Sequence, residues 1–175
     1  MDPYTKLFRA LHDSEVEFLV IGVEGANYFL STGQATFATE DLDLFLPPNA
    51  ANTLAACECC RDLGYRLSSA GEPLDPQLDL WLAERIVEHR ASIRAADPDS
   101  GAQLDLTHTM AGFEFATLWP ARRRFSVGDT EVPVAPLRAI VESKRRAGRK
   151  KDLLFLVTHD EVLKEVLGED EESEG

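Results

Sequence analysis

A short alternating segment, Asp41-Leu42-Asp43-Leu44-Phe45-Leu46, constrains the fold of this chain more than any other feature. Alternate side chains of a strand share one face, so the two aspartates are predicted to project together while the intervening leucines enter a core. Two carboxylates held side by side repel each other, and a hard divalent cation that prefers oxygen ligands suits the space between them. Taken alone, the pair also fits the solvated face of an ordinary amphipathic strand.

A third carboxylate is predicted on a later strand. Residues 91–95 and 103–107 flank the segment Asp97 to Gly101, whose Asp, Pro, Ser and Gly residues are typical of a hairpin turn. The second arm alternates polar and apolar residues, which places Asp105 on a polar face. Three carboxylates on strand faces are a donor set for two Mg²⁺ ions of the kind that act in phosphoryl or nucleotidyl transfer.

The order of the predicted elements indicates an α+β (α/β) fold, with one mixed sheet flanked by helices. A chain of 175 residues with 44% hydrophobic content is sufficient for one core, so we predict a single domain over residues 1–167 and a disordered acidic tail over 168–175. Residues 68–77 read as a loop, and 78–87 have no clear assignment. The predicted helices are 4–12, 26–32, 50–62, one from Pro136 and one or two within 151–167; the predicted strands are 15–23, 41–46, 65–67, 91–95, 103–107, 125–127 and 131–134.

Composition limits the partners of the chain. A formal net charge of -13 argues against binding to extended DNA, because that affinity comes from Lys and Arg side chains that neutralise phosphates. No segment has the length of apolar sequence needed to span a membrane, and the N-terminus lacks the basic and then apolar order of a signal peptide. These observations predict a cytoplasmic protein without a membrane partner.

Neither the cysteines nor the histidines form a recognisable ligand pattern. The three cysteines fall within four residues on a predicted helix, so they indicate ordinary half-buried thiols; they are Cys57, Cys59 and Cys60. The four histidines lack zinc spacing. His108 lies three residues after Asp105 in a strand, which predicts opposite faces and a poor position for a catalytic base.

Two further features are compatible with a bound phosphate. Gly22 and Gly25 interrupt the sequence between a buried strand and a helix, where backbone N–H groups and a helix N-terminus can receive phosphate oxygens, although a plain strand-to-helix turn fits equally well. Ten of the eighteen basic residues lie between Arg122 and Lys151. Lys144 continues the apolar stripe of the helix that begins at Pro136, so we expect it to face the body of the protein.

The pattern resembles the minimal nucleotidyltransferase superfamily over roughly residues 15–158, and in particular the nucleotidyltransferase-type toxins of toxin-antitoxin and abortive-infection systems. The resemblance depends on the motif Thr39-x-Asp41-x-Asp43, a later isolated aspartate in a strand, and the run from Lys144 through Arg149 to Asp152. It implies a nucleotidyltransferase-like fold. It also implies a reaction in which a protein or RNA hydroxyl attacks the α-phosphorus of a nucleoside triphosphate and pyrophosphate leaves.

The resemblance also implies roles for individual residues. Asp41, Asp43 and Asp105 are expected to be catalytic and to bind two Mg²⁺ ions, and Asp105 or a neighbouring group is expected to help activate the acceptor hydroxyl. A cognate antitoxin is implied as a further partner. The residues expected to contact the nucleotide are Gly22, Gly25, Thr39 and Lys144.

Two departures from the family pattern keep alternatives open. The family has adjacent small residues after the first strand, whereas Val23 and Glu24 separate the glycines here, and Phe37 stands where the family tends to carry arginine. A catalytically weakened relative that acts as a binding or regulatory module is therefore the main alternative. A hydrolase or another metal-dependent phosphotransferase that uses the same carboxylates is the third.

Overall fold

The computed structural model describes residues 2–31, 33–39, 41–75 and 77–174. The helices in this part of the chain are α1 (Thr5–Asp13), α2 (Gly22–Asn27), α3 (Ala50–Asp62), α4 (Leu80–Glu88), α5 (Phe115–Leu118), α6 (Leu137–Ala147), α7 (Lys150–Thr158) and α8 (Asp160–Glu174), with a 3-10 turn at Trp119–Ala121. The strands are β1 (Leu19–Ile21), β2 (Asp41–Phe45), β3 (Arg66–Ser69), β4 (Glu72–Pro73), β5 (Ile93–Ala96), β6 (Gln103–Thr107), β7 (Arg123–Val127) and β8 (Thr130–Val134).

The strands within these residues form one sheet in the order β4-β3-β5-β6-β2-β1-β8-β7. The sheet is mixed: β2 pairs in parallel with β6, and β1 with β8, whereas the β1–β2, β5–β6 and β7–β8 pairs are antiparallel. Helices flank this sheet, which confirms the predicted fold class. The predicted β5–β6 hairpin is also present, and the strands predicted at 125–127 and 131–134 form a second hairpin, β7–β8.

Local sequence explains how β2 is held at the centre of the sheet. Leu42, Leu44 and Leu46 are fully buried in the core, while Asp41 and Asp43 are partly exposed. Asn49 then caps α3, because its side chain accepts a hydrogen bond of 2.9 Å from the Asn52 backbone N–H. The aspartate pair therefore lies on a strand that is fixed by its apolar face and by a well-defined helix start.

The connection after β1 differs from the prediction. The strand was expected to continue to Val23 and a helix to begin at Ala26, but α2 begins at Gly22, directly after β1. Gly22 has a φ of 69°, a left-handed conformation that glycine adopts without a steric penalty and that turns the chain at once into the helix. The end of the predicted helix, Thr32, lies outside the described residues.

Three other segments also differ from the sequence-based assignment. The predicted loop 68–77 contains the short β3–β4 hairpin, and α4 occupies the unassigned region, with Asp79 as its N-cap. Helix α8 continues to Glu174, through most of the segment expected to be a disordered tail. Within that segment Asp170 forms an ion pair with Arg123 of β7, which ties the end of the helix to the sheet. None of the helices described here combines the length and apolar character needed to cross a membrane.

Candidate functional site

The three predicted carboxylates occupy neighbouring positions on one face of the sheet. Asp43 of β2 lies directly opposite Asp105 of β6 in their parallel register, and Asp41 precedes Asp43 by two residues on the same face. All three side chains line one cavity of about 590 Å³. Parallel pairing of β2 with β6 thus brings together carboxylates that are distant in the sequence.

Arg94 of β5, which the sequence reasoning did not identify, binds two of these carboxylates. It lies opposite Asp105 in the antiparallel β5–β6 pair, and its Nε and Nη2 atoms donate hydrogen bonds of 3.0 Å to the two oxygens of Asp105. Its Nη2 is also 3.5 Å from Asp41 Oδ2, and its Nη1 donates a 2.8 Å hydrogen bond to Gln103 Oε1. The guanidinium is therefore fixed between Asp41 and Asp105.

Asp43 differs from Asp41 and Asp105 in its contacts. Among the described residues, no hydrogen bond or ion pair reaches its carboxylate, although Lys144 and Lys151 lie near enough to act on it through their charge. Burial raises the pKa of Asp43 to about 6, and repulsion from Asp105 and Asp41 adds to this effect. The ionised form of Asp43 is thus held in an unfavourable environment that an added cation would relieve.

The two predicted glycines have different positions. An ideal Cβ on Gly22 would lie 2.6 Å from Asp43 Oδ2, so this glycine allows the backbone of α2 to approach the carboxylate closely. Gly25 does not line the cavity; a Cβ there would meet Ile140 Cδ1 and the Val20 carbonyl oxygen, each at 3.0 Å. Gly22 belongs to the site, whereas Gly25 serves the packing of α2 against β1 and α6.

Lys144 faces inward, as the helical spacing predicted, and its side chain is only 13% exposed. Its ammonium is 3.5 Å from Asp152 Oδ1 and 4.9 Å from the centre of the Phe155 ring. Burial lowers the pKa of Lys144, and Asp152 opposes this shift. Lys144 is thus anchored at the wall of the cavity by a carboxylate and an aromatic ring.

Asp152 holds a second basic residue beside Lys144. Its side chain is 1% exposed, and it accepts hydrogen bonds of 2.7 and 3.2 Å from Arg149 Nε and Nη2. Burial raises the pKa of Asp152, but the Arg149 hydrogen bond and the Lys144 charge outweigh burial, so the pKa lies below its ordinary value. Asp152 is therefore a buried anion that holds Lys144 and Arg149 near the N-terminus of α7.

The residues around Thr39 form a second cavity of about 470 Å³, which shares Asp41, Asp43 and Lys144 with the first. Thr39 lines it, and its hydroxyl donates a hydrogen bond of 3.1 Å to the Asp41 carbonyl oxygen. The lining is partly apolar and aromatic, and includes Leu154, Phe155 and His159. Two spaces of different chemical character therefore meet at the aspartate pair.

The two departures from the family pattern have structural explanations. Phe37 is buried, and its ring lies 5.1 Å from that of Phe155 and 4.7 Å from that of His159, so it supports α7. Glu24 does not line the 590 Å³ cavity; Asn27 Nδ2 donates a 3.4 Å hydrogen bond to it, and it faces a neighbouring space beside Tyr4. The Glu24 carboxylate is thus kept apart from the main cavity.

The main cavity has equal numbers of acidic and basic side chains, but not all of them form ion pairs with one another. Its lining includes four carboxylates, Asp41, Asp43, Asp105 and Asp152, and four basic groups, Arg94, Lys144, Arg149 and Lys151. Arg94 is bonded to Asp105, and Lys144 and Arg149 to Asp152. Asp43 and Lys151 are left without an ion pair in the part of the chain that the structure describes.

The donor set fits a hard cation at Asp41 and Asp43 more readily than at all three carboxylates. Over residues 2–31, 33–39, 41–75 and 77–174, no three His, Cys, Asp or Glu side chains are arranged to hold a single metal ion. At this site Arg94 donates a hydrogen bond to each oxygen of Asp105. Asp41 and Asp43 supply carboxylate oxygens, the ligands that Mg²⁺ prefers, and no cationic side chain of the described residues forms an ion pair with Asp43.

The histidine and cysteines considered in the sequence do not contribute to the cavity. His108 is buried, with its ring nitrogens 2.8 Å from Thr53 Oγ1 and 3.0 Å from the Ala91 carbonyl oxygen, and burial lowers its pKa. These contacts are structural. The three thiols, Cys57, Cys59 and Cys60, are buried in α3.

No family model and no curated protein sequence matches the chain. Solved structures do match it, at low identity. The structure of ANT(2")-Ia in complex with adenylyl-2"-tobramycin has a TM-score of 0.53 and 15% identity, with 97% of this chain and 95% of that chain covered. The lincomycin-bound lincosamide adenylyltransferase LnuA has a TM-score of 0.50 and 13% identity over 78% and 80% of the two chains.

An antigenic nucleotidyltransferase-like protein from Paracoccidioides brasiliensis also matches, with a TM-score of 0.51 and 12% identity over 95% of this chain and 72% of that one. At such identities the likeness concerns the backbone, so it bears on the fold and not on substrates. The mixed sheet, the carboxylates on β2 and β6 and these three likenesses together show that the chain has the nucleotidyltransferase fold.

Proposed function

We propose that the chain is a Mg²⁺-dependent nucleotidyltransferase that moves a nucleoside monophosphate from a nucleoside triphosphate to a hydroxyl group of a protein or an RNA. The observation that carries the proposal is the position of Asp41, Asp43 and Asp105 in one cavity, with Lys144 on its wall. On this fold, such a donor set beside anchored basic residues suits a magnesium-bound triphosphate better than any neutral ligand.

Asp41 and Asp43 are the proposed ligands of Mg²⁺. When bound there, the ion supplies positive charge that offsets the negative charge developing on the phosphate oxygens. The uncompensated carboxylate of Asp43 supports this assignment, because its pKa is raised by burial and by its acidic neighbours. Gly22 contributes because it has no Cβ, which lets the backbone of α2 lie close to the Asp43 carboxylate.

The proposed reaction is an in-line displacement at the α-phosphorus. A bond forms between the acceptor oxygen and the α-phosphorus, and the bond from that phosphorus to the oxygen bridging to the β-phosphate breaks, so pyrophosphate leaves with the bonding electrons. The hydroxyl proton passes to Asp105, which then releases it to water. Arg94 hydrogen bonds keep the Asp105 carboxylate fixed for this role.

The basic residues of the cavity are the proposed phosphate contacts. Lys144 is held in place by Asp152, and Lys151 lines the same cavity without an ion pair among the described residues. We infer that Lys151 is free to meet a phosphate, whereas Lys144 reaches it while still bonded to Asp152. Thr39 borders the neighbouring cavity and is a proposed contact of the nucleotide or the acceptor. Gly25, which packs against α6, is excluded from this group.

The proposed acceptor and partners follow from the family resemblance and the charge. A net charge of -13 suits a local acceptor hydroxyl on a protein or a structured RNA better than a long nucleic acid. A cognate antitoxin and a cytoplasmic location belong to the same proposal.

The proposal is tested by incubating the purified chain with Mg²⁺ and each of the four α-labelled nucleoside triphosphates. The acceptors offered are the chain itself, tRNA and proteins of a cell lysate, and the matched control is Asp43→Ala. We expect label on one class of acceptor with the wild-type chain and none with Asp43→Ala. Absence of label from every acceptor and nucleotide with both proteins contradicts the proposal.

A catalytically weakened binding or regulatory module is the second candidate. It is favoured by Phe37, which stands where the family tends to have arginine, and by Arg94, which ties Asp105 to its own strand neighbour. Calorimetry separates the two candidates. Binding of Mg²⁺-nucleotide that is lost in Asp41→Ala supports the enzyme, and absence of binding at millimolar nucleotide supports the module.

A further inference from the structure

We propose that Arg94 is a positioning residue that takes the place of a second metal ion, so that the site binds one divalent cation per chain, at Asp41 and Asp43. This inference rests on the proposed function, since it assigns the charge arrangement of the same site. It differs from the two-ion expectation of the sequence analysis. Neither the acidic motif nor the family resemblance gives Arg94 a role.

The first argument is the register of three adjacent strands. Asp43 on β2 pairs with Asp105 on β6, and Asp105 pairs with Arg94 on β5, so the three side chains form one row across the sheet. A cross-strand neighbour on the same face is within reach of a long side chain. Backbone pairing alone therefore places a permanent positive charge beside the third carboxylate.

The second argument is the geometry of the guanidinium. Arg94 uses two N–H groups in a fork on the two oxygens of Asp105, both at 3.0 Å, and a third contact on Gln103 Oε1 at 2.8 Å. A planar guanidinium that binds a carboxylate with two parallel hydrogen bonds has little freedom to move away. The Gln103 contact restrains it further.

The third argument is charge. A metal ion shared by Asp41 and Asp105 has to lie near the Arg94 Nη2 atom, which is 3.0 Å from Asp105 Oδ2 and 3.5 Å from Asp41 Oδ2. A divalent cation at that place is repelled by the positive charge of the guanidinium. Asp43, which Arg94 does not contact, remains open to a cation together with the rest of the Asp41 carboxylate.

An ordinary surface ion pair is the competing interpretation, because the Arg94 side chain is 47% exposed. Such a pair contributes little to stability and has no effect on how many ions bind. The number of bound ions therefore distinguishes the two interpretations, whereas the folding stability does not.

The test is a Mn²⁺ titration of the full chain without nucleotide, in which electron paramagnetic resonance measures the free ion. Four proteins are compared: the wild type, Arg94→Gln, which loses the charge, Arg94→Lys, which keeps it, and Lys151→Gln, which removes one positive charge from the same cavity without touching Asp41 or Asp105. Circular dichroism verifies that each variant is folded. We expect one bound Mn²⁺ in the wild type, Arg94→Lys and Lys151→Gln, and two in Arg94→Gln.

Two bound ions in the folded wild-type chain overturn the inference and leave the proposed nucleotidyl transfer standing; this result needs no variant. One ion in folded Arg94→Gln also overturns it, because Arg94 then excludes nothing. Two ions in Lys151→Gln overturn it as well, because any loss of positive charge then suffices. No bound Mn²⁺ in any of the four proteins overturns the inference, because Asp41 and Asp43 then hold no cation in the free chain, and leaves nucleotidyl transfer with an ion that arrives with the triphosphate standing.

Discussion

The substitution Asp43→Asn tests whether the ionised carboxylate of Asp43 destabilises the folded protein and whether a bound cation relieves that destabilisation. The pKa of the Asp43 carboxyl is raised from 3.8 to about 6, chiefly by burial, with contributions from Asp105 and Asp41. Because the folded state holds the proton more tightly than the unfolded chain does, ionisation of this group opposes folding. At roughly 1.4 kcal/mol per pKa unit, the shift corresponds to about 3 kcal/mol at pH 8.

The sign of the effect depends on pH. The destabilisation by ionised Asp43 is fully present above pH 6 and disappears as the pH falls below about 4, where the carboxyl is protonated in both states. Asparagine resembles the protonated side chain and carries no charge. Asp43→Asn is therefore expected to raise the free energy of unfolding by about 3 kcal/mol at pH 8 and to have almost no effect at pH 3.5.

The assay is chemical denaturation of both proteins in the presence of a chelator, repeated with Mg²⁺. Asp129→Asn is the matched control: Asp129 is exposed and hydrogen-bonded to Arg9, so its loss is not expected to stabilise the protein. Mg²⁺ is expected to stabilise the wild type and to leave Asp43→Asn unchanged. A destabilised Asp43→Asn protein at pH 8, or an equal response of both proteins to Mg²⁺, would refute the reasoning.

Three further predictions concern the surroundings of the site. Asp152→Ala is expected to destabilise the protein by about 3 kcal/mol in denaturant titrations, because it leaves two cations without their buried partner; an unchanged midpoint would contradict this. Gly22→Ala is expected to cost at least about 1 kcal/mol for its left-handed backbone, and to weaken Mn²⁺ binding because the new Cβ displaces Asp43; unchanged Mn²⁺ affinity would argue against that displacement. A thiol reagent is expected to label no cysteine of the native chain within minutes and all of them after unfolding, because Cys57, Cys59 and Cys60 are buried; rapid labelling of the native protein would show otherwise.

The fold could be predicted largely from hydrophobic patterning. The alternation around Asp41 and Asp43 indicated a strand with one buried face, and the Asp97 to Gly101 segment indicated the β5–β6 hairpin; both are present. The inward phase of Lys144 followed from helical spacing. These features depend on residues close together in the sequence, where periodicity is informative.

The structure differs from the sequence-based expectations where contacts between distant residues determine the conformation. The early start of α2 depends on a left-handed Gly22 packed against Asp43, and the position of Gly25 depends on contacts with Val20 and Ile140. Neither contact is visible in the local sequence. The extension of α8 likewise depends on a distant partner, since Asp170 pairs with Arg123.

The position of Arg94 opposite Asp105 depends on the exact register of the β5–β6 hairpin. Ala96 lies opposite Gln103, and because directly opposed residues of an antiparallel pair keep a constant sum of residue numbers, Arg94 lies opposite Asp105. A turn centred on the segment from Asp97 to Gly101 would instead place Ile93 there, so the turn signal alone did not give the register. The acidic motif contains no signal that points to this neighbouring strand. Whether the guanidinium also reaches Asp41 could not be predicted, because that depends on the parallel pairing of β2 with β6.

The central claim, that the site transfers a nucleoside monophosphate, is tested most directly by following α-labelled and γ-labelled nucleoside triphosphate in parallel reactions with one acceptor. We predict that the α-label appears on the acceptor while the γ-label is released as pyrophosphate, and that both events require Mg²⁺ and are lost in Asp43→Ala. The γ-label on the acceptor would indicate a phosphotransferase, and its release as inorganic phosphate would indicate a hydrolase. Either result would contradict the claim.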